Sequence, residues 1–353
     1  MNSNPTKTQM EYRYLGNSGL RVSVIGYGCG DATDQELLNK LVKKAFDSGI
    51  NFFDCAEIYG KPPGLVEKLL GAAFKALNLS RDDLVVTTKI FWGGEVSQVN
   101  RRGLSRKHLI EGTKASLKRM QLEHVDVLFA HRYDPNTPME EICRAFDWLV
   151  RKGYTHYWGT SEWSAQKIEE AFRICEKFRL IKPIAEQPEY SLLVRERFEK
   201  EYAGLYESHR YGTTIWSPLA GGVLTGKYDK EIPEDSRATS YLSFLIQKYL
   251  TPENIENTRK QTAALRQIAQ ELNSTPARLA LAWTIKNRDV STAIMGARKI
   301  EQFDDNILAI EDVKKITPEI EERIEQIFKN RPDTEMDNRL MKKIEPRRKV
   351  ATA

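Results

Sequence analysis

Residues 125–153 read VDVLFAHRYDPNTPMEEICRAFDWLVRKG, one complete strand-to-helix unit. The segment from Val125 to His131 is a short, nearly continuous apolar run, as expected of a strand covered on both faces. After Asn136, Thr137 is placed to cap a helix, Pro138 suits its first turn and Glu140 completes a capping box. Ile142, Ala145, Phe146, Leu149 and Val150 then recur at helical spacing, with Glu140, Arg144 and Asp147 on the opposite face. Gly153 is the stop.

The same unit recurs along the chain. Further strands are expected at VSVIGYG from Val22, NFFD from Asn51, LVVTTKI from Leu84, YWGTS from Tyr157, PIAEQ from Pro183, TTIWS from Thr213 and TAIMG from Thr292. Helical stripes lie between them, one opened by Thr33 and Glu36 and closed by Gly49, another preceded by Ser105. Eight strands alternating with helices place the chain in the α/β class as a closed (β/α)8 TIM barrel. The chain has 353 residues, and one such barrel takes about 250 with room for insertions. One domain is therefore expected over residues 11–330, between an N-terminal tail (1–10) and a basic C-terminal tail (331–353). From Tyr228 to Asn273 an insertion precedes the helix begun by Thr275 and Pro276, and a lid is one reading of it.

Composition narrows the setting. With 41% hydrophobic and 29% charged residues the chain is ordinary for a globular protein. Neither an apolar leader nor a run of about 20 apolar residues is present, so a cytoplasmic protein without membrane insertion is expected. Cys29, Cys55, Cys143 and Cys175 lack ligand spacing and are expected as free thiols. The net charge of +5 owes much to a tail in which no aromatic residues interleave with the cations, so nucleic acid is not an expected partner.

In parallel barrels the reactive groups sit at the C-terminal ends of the strands. Here those positions are occupied by Asp54, Lys89, His131, Ser161, Gln187 and Ser217, with Tyr59 one short turn after Asp54. A tyrosine of ordinary pKa near 10 is a poor acid unless a cation favours its phenolate. Lys89 can supply that cation, Asp54 can neutralise the buried lysine, and His131 can hydrogen-bond a carbonyl. Such a set suits carbonyl reduction.

The stretches FFDCAEIYG, VVTTKIFWGG, VDVLFAHR, YWGTSEWSAQ, EQPEYSLL, WSPLAGGVLTGKYD and IMGARKIEQFDDN resemble consecutive signatures of the aldo-keto reductase superfamily. Within it, GLSRKHLIEGTKASLKRMQLEHVDVLFAHR followed by DPNTPMEE is similar to the voltage-gated potassium channel beta subunit family. The resemblance implies that Tyr59 is the general acid, that Lys89, paired with Asp54, lowers its pKa, and that His131 positions the carbonyl. Animal members of the channel family carry asparagine where this chain has His131, so an ordinary reductase is implied at that point. Also implied are NADPH, a small carbonyl substrate walled by Trp92, a homotetramer, and a regulatory role on a voltage-gated potassium channel alpha subunit as the alternative to catalysis.

For NADPH the resemblance places Ser161 and Gln187 at the nicotinamide amide and Trp216, Ser217, Pro218, Leu219, Ala220 and Gly221 beneath the pyrophosphate. Lys227 and Arg237 fall at the phosphates. Gly296, Arg298, Gln302, Asp305 and Asn306 surround the adenosine and its 2′-phosphate. The loop after the first strand is shorter than the family's, so its contacts fall on Cys29 and Gly30. Two apparent phosphate loops are discounted: Asp31 stands where a third glycine belongs, and Tyr228 replaces the hydroxyl residue of a Walker A sequence. The five histidines lack paired spacing such as H-E-x-x-H. No metal is expected, although a site assembled from distant segments stays open.

Overall fold

A computed structural model describes residues 9–30, 32–93, 99–234, 236, 243 and 246–333. Strands β1 (Tyr12–Tyr14) and β2 (Arg21–Ser23) form an antiparallel hairpin, and β3 (Ile25–Gly28), β4 (Phe52–Asp54), β5 (Val85–Ile90), β6 (Val125–Ala130), β7 (Thr155–Ser161), β8 (Ala185–Gln187), β9 (Gly212–Trp216) and β10 (Thr292–Met295) follow. These last eight close into a parallel barrel in which β10 pairs with both β3 and β9. Around it run α1 (Gln35–Asp47), α2 (Leu65–Ala76), α3 (Arg106–Met120), α4 (Met139–Arg151), α5 (Ala165–Phe178), α6 (Ala203–His209), α7 (Gln247–Leu250), α8 (Ile255–Glu271), α9 (Pro276–Lys286), α10 (Ile300–Ile307), α11 (Ala309–Asp312) and α12 (Pro318–Phe328). The expected (β/α)8 barrel is borne out.

Two cores hold the barrel, one on each side of the sheet. Inside it, Phe52, Val85, Val127, Phe129, Ala185 and Ile294 pack with Leu15 and Val22 of the hairpin, which plugs the N-terminal end. Between strands and helices lies the larger core, where Phe146 of α4 stacks on Trp158 of β7 with ring centres 4.4 Å apart. Every residue of β5 and β6 is buried, which is why both read as unbroken runs. At Gly159 the barrel wall is so close that an added Cβ would lie 2.5 Å from the Ala185 carbonyl oxygen and 2.6 Å from Phe129. Only glycine fits.

Local expectations shift in three places. The run from Val22 is two strands, because the Val24 N–H donates to the Glu11 carbonyl at 2.9 Å and turns the chain between hairpin and barrel. Asp34, not Thr33, caps α1 by accepting from the Leu37 N–H at 2.6 Å. The Thr137 hydroxyl donates to Asp134 at 2.7 Å rather than capping α4. Ser105 and Thr275 do cap α3 and α9 as expected. Much of the insertion joins the helical shell: α8 packs on α9 and α12, and its Arg266 pairs with Asp229 at 2.5 Å. Arg237 and most of residues 235–245 lie outside the described residues, as do most of the two expected tails.

Candidate active site

Strand ends gather the reactive side chains at one mouth. Asp54 is the last residue of β4, Lys89 lies one residue before the end of β5, and His131 follows β6 directly. Lys89 is 1% exposed. So buried an ammonium needs several partners, and it donates to Asp54 Oδ2 at 2.5 Å and to the Cys55 carbonyl at 2.7 Å, with the Tyr59 hydroxyl at 3.5 Å. Asp54 Oδ1 accepts from Thr87 at 2.7 Å and from Gln187 Nε2 at 3.1 Å, so the carboxylate is held from both sides.

The electrostatics divide the roles. Burial pulls the Lys89 pKa down, but the charges of Asp54 and Tyr59 outweigh it and hold the ammonium above its ordinary range. Burial pushes the Tyr59 phenol up, and the Lys89 charge, which acts in the expected lowering direction, only partly offsets it. The net direction is therefore opposite to the sequence expectation. The physical reason is burial itself, to which the Asp54 charge adds by raising the phenol and cancelling part of the lysine field. Tyr59 thus keeps its proton at neutral pH.

His131 is pushed well below the ordinary histidine range by burial, with Lys89 and Arg132 adding cationic repulsion. Its ring is neutral. It stands edge-on to the Tyr59 ring with centres 5.9 Å apart, and its Nδ1 is buried without a partner among the described residues. A buried polar atom left unpaired costs about 1–3 kcal/mol. Such an orphan beside a proton donor is what a site for an absent polar ligand looks like.

The expected cofactor residues fall into groups. Ser161 and Gln187 end β7 and β8, and Ser161 donates to the Gln187 carbonyl at 2.9 Å. After β9 the chain from Ser217 to Gly222 turns repeatedly through left-handed conformations, with φ of +57° at Ser217, +48° at Ala220, +65° at Gly221 and +95° at Gly222. Gly221 N–H donates to Ser217 Oγ at 2.9 Å, while Trp216 Nε1 donates to Glu162 at 2.9 Å. Pro218 is buried and Leu219 half-buried. Lys227 lies over this turn: a Cβ on Gly222 would be 2.7 Å from its Nζ. A concave turn topped by an ammonium suits a phosphate.

Across the mouth, Gly296 follows β10 and is exposed, and Arg298 is half-buried just before α10. Gln302 Oε1 accepts from the Arg298 N–H at 2.9 Å. Asp305 accepts from Thr275 at 2.7 Å and so helps cap α9, and Asn306 is buried. Cys29 has its thiol in the outer core, where burial raises its pKa well above the ordinary range. Trp92 is 38% exposed beside Phe91.

Sequence reasoning passed over a support beneath Trp92. Glu57 accepts the N–H groups of Phe91 and Gly93 at 2.7 and 2.9 Å, and His108 bridges Glu57, at 3.3 Å, to the Gly103 carbonyl, at 2.8 Å. Glu57 sits between Asp54 and Tyr59 in sequence, the one signal that pointed to it. Glu162, which holds Trp216 and pairs with Arg197 at 2.7 Å, was also missed. It lies in a left-handed turn, φ +58°, that nothing in its neighbours announces.

Comparison with known proteins shows the family. The aldo/keto reductase family model matches residues 24–328. A Schizosaccharomyces pombe protein, provisionally named a voltage-gated potassium channel subunit beta, is 46% identical over 326 residues, covering 91% of this chain and 94% of the relative. Proteins of Arabidopsis thaliana and Oryza sativa subsp. japonica with the same provisional name are each 43% identical over 331 residues, covering 92% of this chain and 98% of theirs. The chain belongs to the aldo/keto reductase family, among relatives that carry the channel beta subunit name.

Proposed function

We propose that this chain is a cytoplasmic, NADPH-dependent reductase of aldehydes or ketones, with Tyr59 as general acid. The observation that carries the reading is the buried Asp54–Lys89 pair, 3.5 Å from a protonated Tyr59 and next to a neutral His131. NADPH, when bound, supplies the hydride. Tyr59 gives its proton to the oxygen that becomes an alcohol, and Lys89 stabilises the phenolate left behind. A neutral His131 donates an N–H to the carbonyl oxygen without competing for the proton, which polarises the bond and fixes its orientation. Asp54 holds Lys89 in place and does not touch the substrate. Trp92 walls the substrate side.

For the cofactor, Ser161 and Gln187 are assigned to the nicotinamide amide and Trp216 to Gly221 to the pyrophosphate. Lys227 and Arg237 take phosphates, and Arg298, Gln302, Asp305, Asn306 and Gly296 surround the adenosine end, with Cys29 at the edge through its backbone. The left-handed turn under Lys227 and the half-buried Arg298 are what support a phosphate-bearing dinucleotide. Consumption of NADPH in the presence of an aromatic aldehyde tests the reading. No consumption with any carbonyl, despite tight NADPH binding, would overturn it.

The relatives' names favour a second role, regulation of a voltage-gated potassium channel through its alpha subunit, with NADPH as a redox-sensing ligand and a homotetrameric assembly. Co-purification with a channel's cytoplasmic domain and light scattering test it. A stable monomer that retains no channel domain would leave the reductase alone.

A further inference from the structure

At the other end of the barrel, β6 and β7 begin side by side. Val125 pairs with Thr155 and Val127 with Tyr157, so Asp126 and His156 are neighbours across the two strands. Val127, Phe129 and Tyr157 belong to the interior core. Side chains alternate along a strand, so Asp126 and His156 project outward, and His124, two residues before Asp126, falls on the same side. His124, Asp126 and His156 each offer a ligand atom within 4.8 Å of the other two, and the imidazole centres are 4.4 Å apart.

We propose that these three residues form a binding site for a late first-row divalent cation, of the zinc, nickel or copper type. Two imidazoles and one carboxylate are a borderline donor set that suits such ions and not magnesium or calcium, which take oxygen ligands. The carboxylate is oriented beforehand: Asp126 Oδ2 accepts from Arg81 at 2.6 Å and from the Val86 N–H at 2.7 Å. Partners of that kind hold a ligating carboxylate in place. Two other histidines, by contrast, have their rings engaged. His108 uses both ring nitrogens, on Gly103 and Glu57, and His209 bonds Glu169 at 2.9 Å. Among the described residues no hydrogen bond engages the ring of His124 or His156.

Arg81 opposes a cation beside it and weakens the site, which makes Asp126 essential as the only anion of the set. His156 is exposed and His124 half-buried, so the ion has a path in and keeps solvent in its remaining positions. The site lies on the face opposite Lys89 and Tyr59. Its effect is to tie β6 to β7, not to take part in reduction.

The test is calorimetric titration of the tag-free whole chain with zinc chloride, and electron paramagnetic resonance after addition of copper(II). One zinc per chain is expected, with the copper spectrum showing ligation by two nitrogens. His156→Ala, a surface change, should weaken zinc at least tenfold and remove one nitrogen from the copper signal, and His124→Ala should do the same. His209→Ala should change neither. No zinc binding up to millimolar concentration, or equal affinity in the wild type and His156→Ala, would overturn the proposal.

Discussion

The Lys89 ammonium stands 3.5 Å from the Tyr59 hydroxyl and 5.0 Å from the centre of the Tyr59 ring, so one buried cation serves both the oxygen and the π face of the same side chain. The first contact favours the phenolate formed after proton donation. The second is a cation–π attraction that holds the ring before it. With burial raising the phenol, the ground state is protonated and the lysine acts mainly as the charge develops.

Tyr59→Phe therefore removes the proton donor and keeps the ring over Lys89. Turnover with an aldehyde should fall by about 10²- to 10⁴-fold, the usual worth of general acid catalysis. NADPH affinity, read by fluorescence titration, should stay within error of the wild type. A loss of NADPH binding equal to the loss of turnover would assign Tyr59 to the cofactor instead.

Lys89→Met should cost both rate and stability. It leaves Asp54 in a buried site with only neutral donors, Thr87 and Gln187. Breaking a buried pair from one side costs about 3–5 kcal/mol, so thermal unfolding should shift down clearly. The double variant Lys89→Met with Asp54→Asn should recover part of the stability and none of the turnover.

How far the sequence foretold this arrangement depended on whether a residue's role was local. Lys89 and His131 were placed because parallel strands read as apolar runs and their ends stand out. The split at Val24 was hidden, since Arg21–Ser23 continues the same run and only the distant Glu11 carbonyl breaks it. Glu57 and His108 were hidden for the same reason: their partners come from the loop after β4, from α3 and from the loop after β5. The net upward shift of Tyr59 needed burial that no spacing reports.

Arg298→Glu should separate the two nicotinamide cofactors. Arg298 is assigned to the 2′-phosphate, and a hydrogen bond to a charged group is worth about 1.5–3 kcal/mol. NADPH should weaken by about tenfold or more while NADH changes little. Equal effects on both dissociation constants would remove Arg298 from the 2′-phosphate.

Glu186 gives a pH-dependent prediction outside the mouth. It is fully buried, accepting from Thr160 and from the Trp163 N–H at 3.2 Å, and burial pushes its pKa up to about 8. An unfolded glutamate titrates near 4.3, so the folded state binds the proton more tightly. The associated stability is complete below about pH 4.3 and declines as pH rises toward about 8. Glu186→Gln lacks this decline, and its melting temperature should gain on the wild type between about pH 5 and 8. A difference that stays flat across that range would show that Glu186 ionises without cost.

His131→Asn is the sharpest test of mechanism. The native ring is neutral because burial and the charges of Lys89 and Arg132 exclude a further cation, so its contribution to reduction is a directed N–H and not a proton. Two consequences follow from that one fact. The hydride step should show no titration attributable to His131 between about pH 6 and 8, since the ring stays neutral well below its ordinary range. Asparagine can still donate, but from a shorter side chain, so the single-turnover rate should fall by about 10- to 100-fold, less than the roughly 10²–10³ of deleting a donor outright. NADPH affinity should hold. The folded pKa lies below the unfolded value, so the histidine costs stability only in acid, as pH falls below about 6.5. There His131→Asn should be the more stable protein even as it is the slower enzyme. An unchanged single-turnover rate in both His131→Asn and Tyr59→Phe would show that the barrel holds its cofactor as a ligand and does no carbonyl chemistry at this mouth.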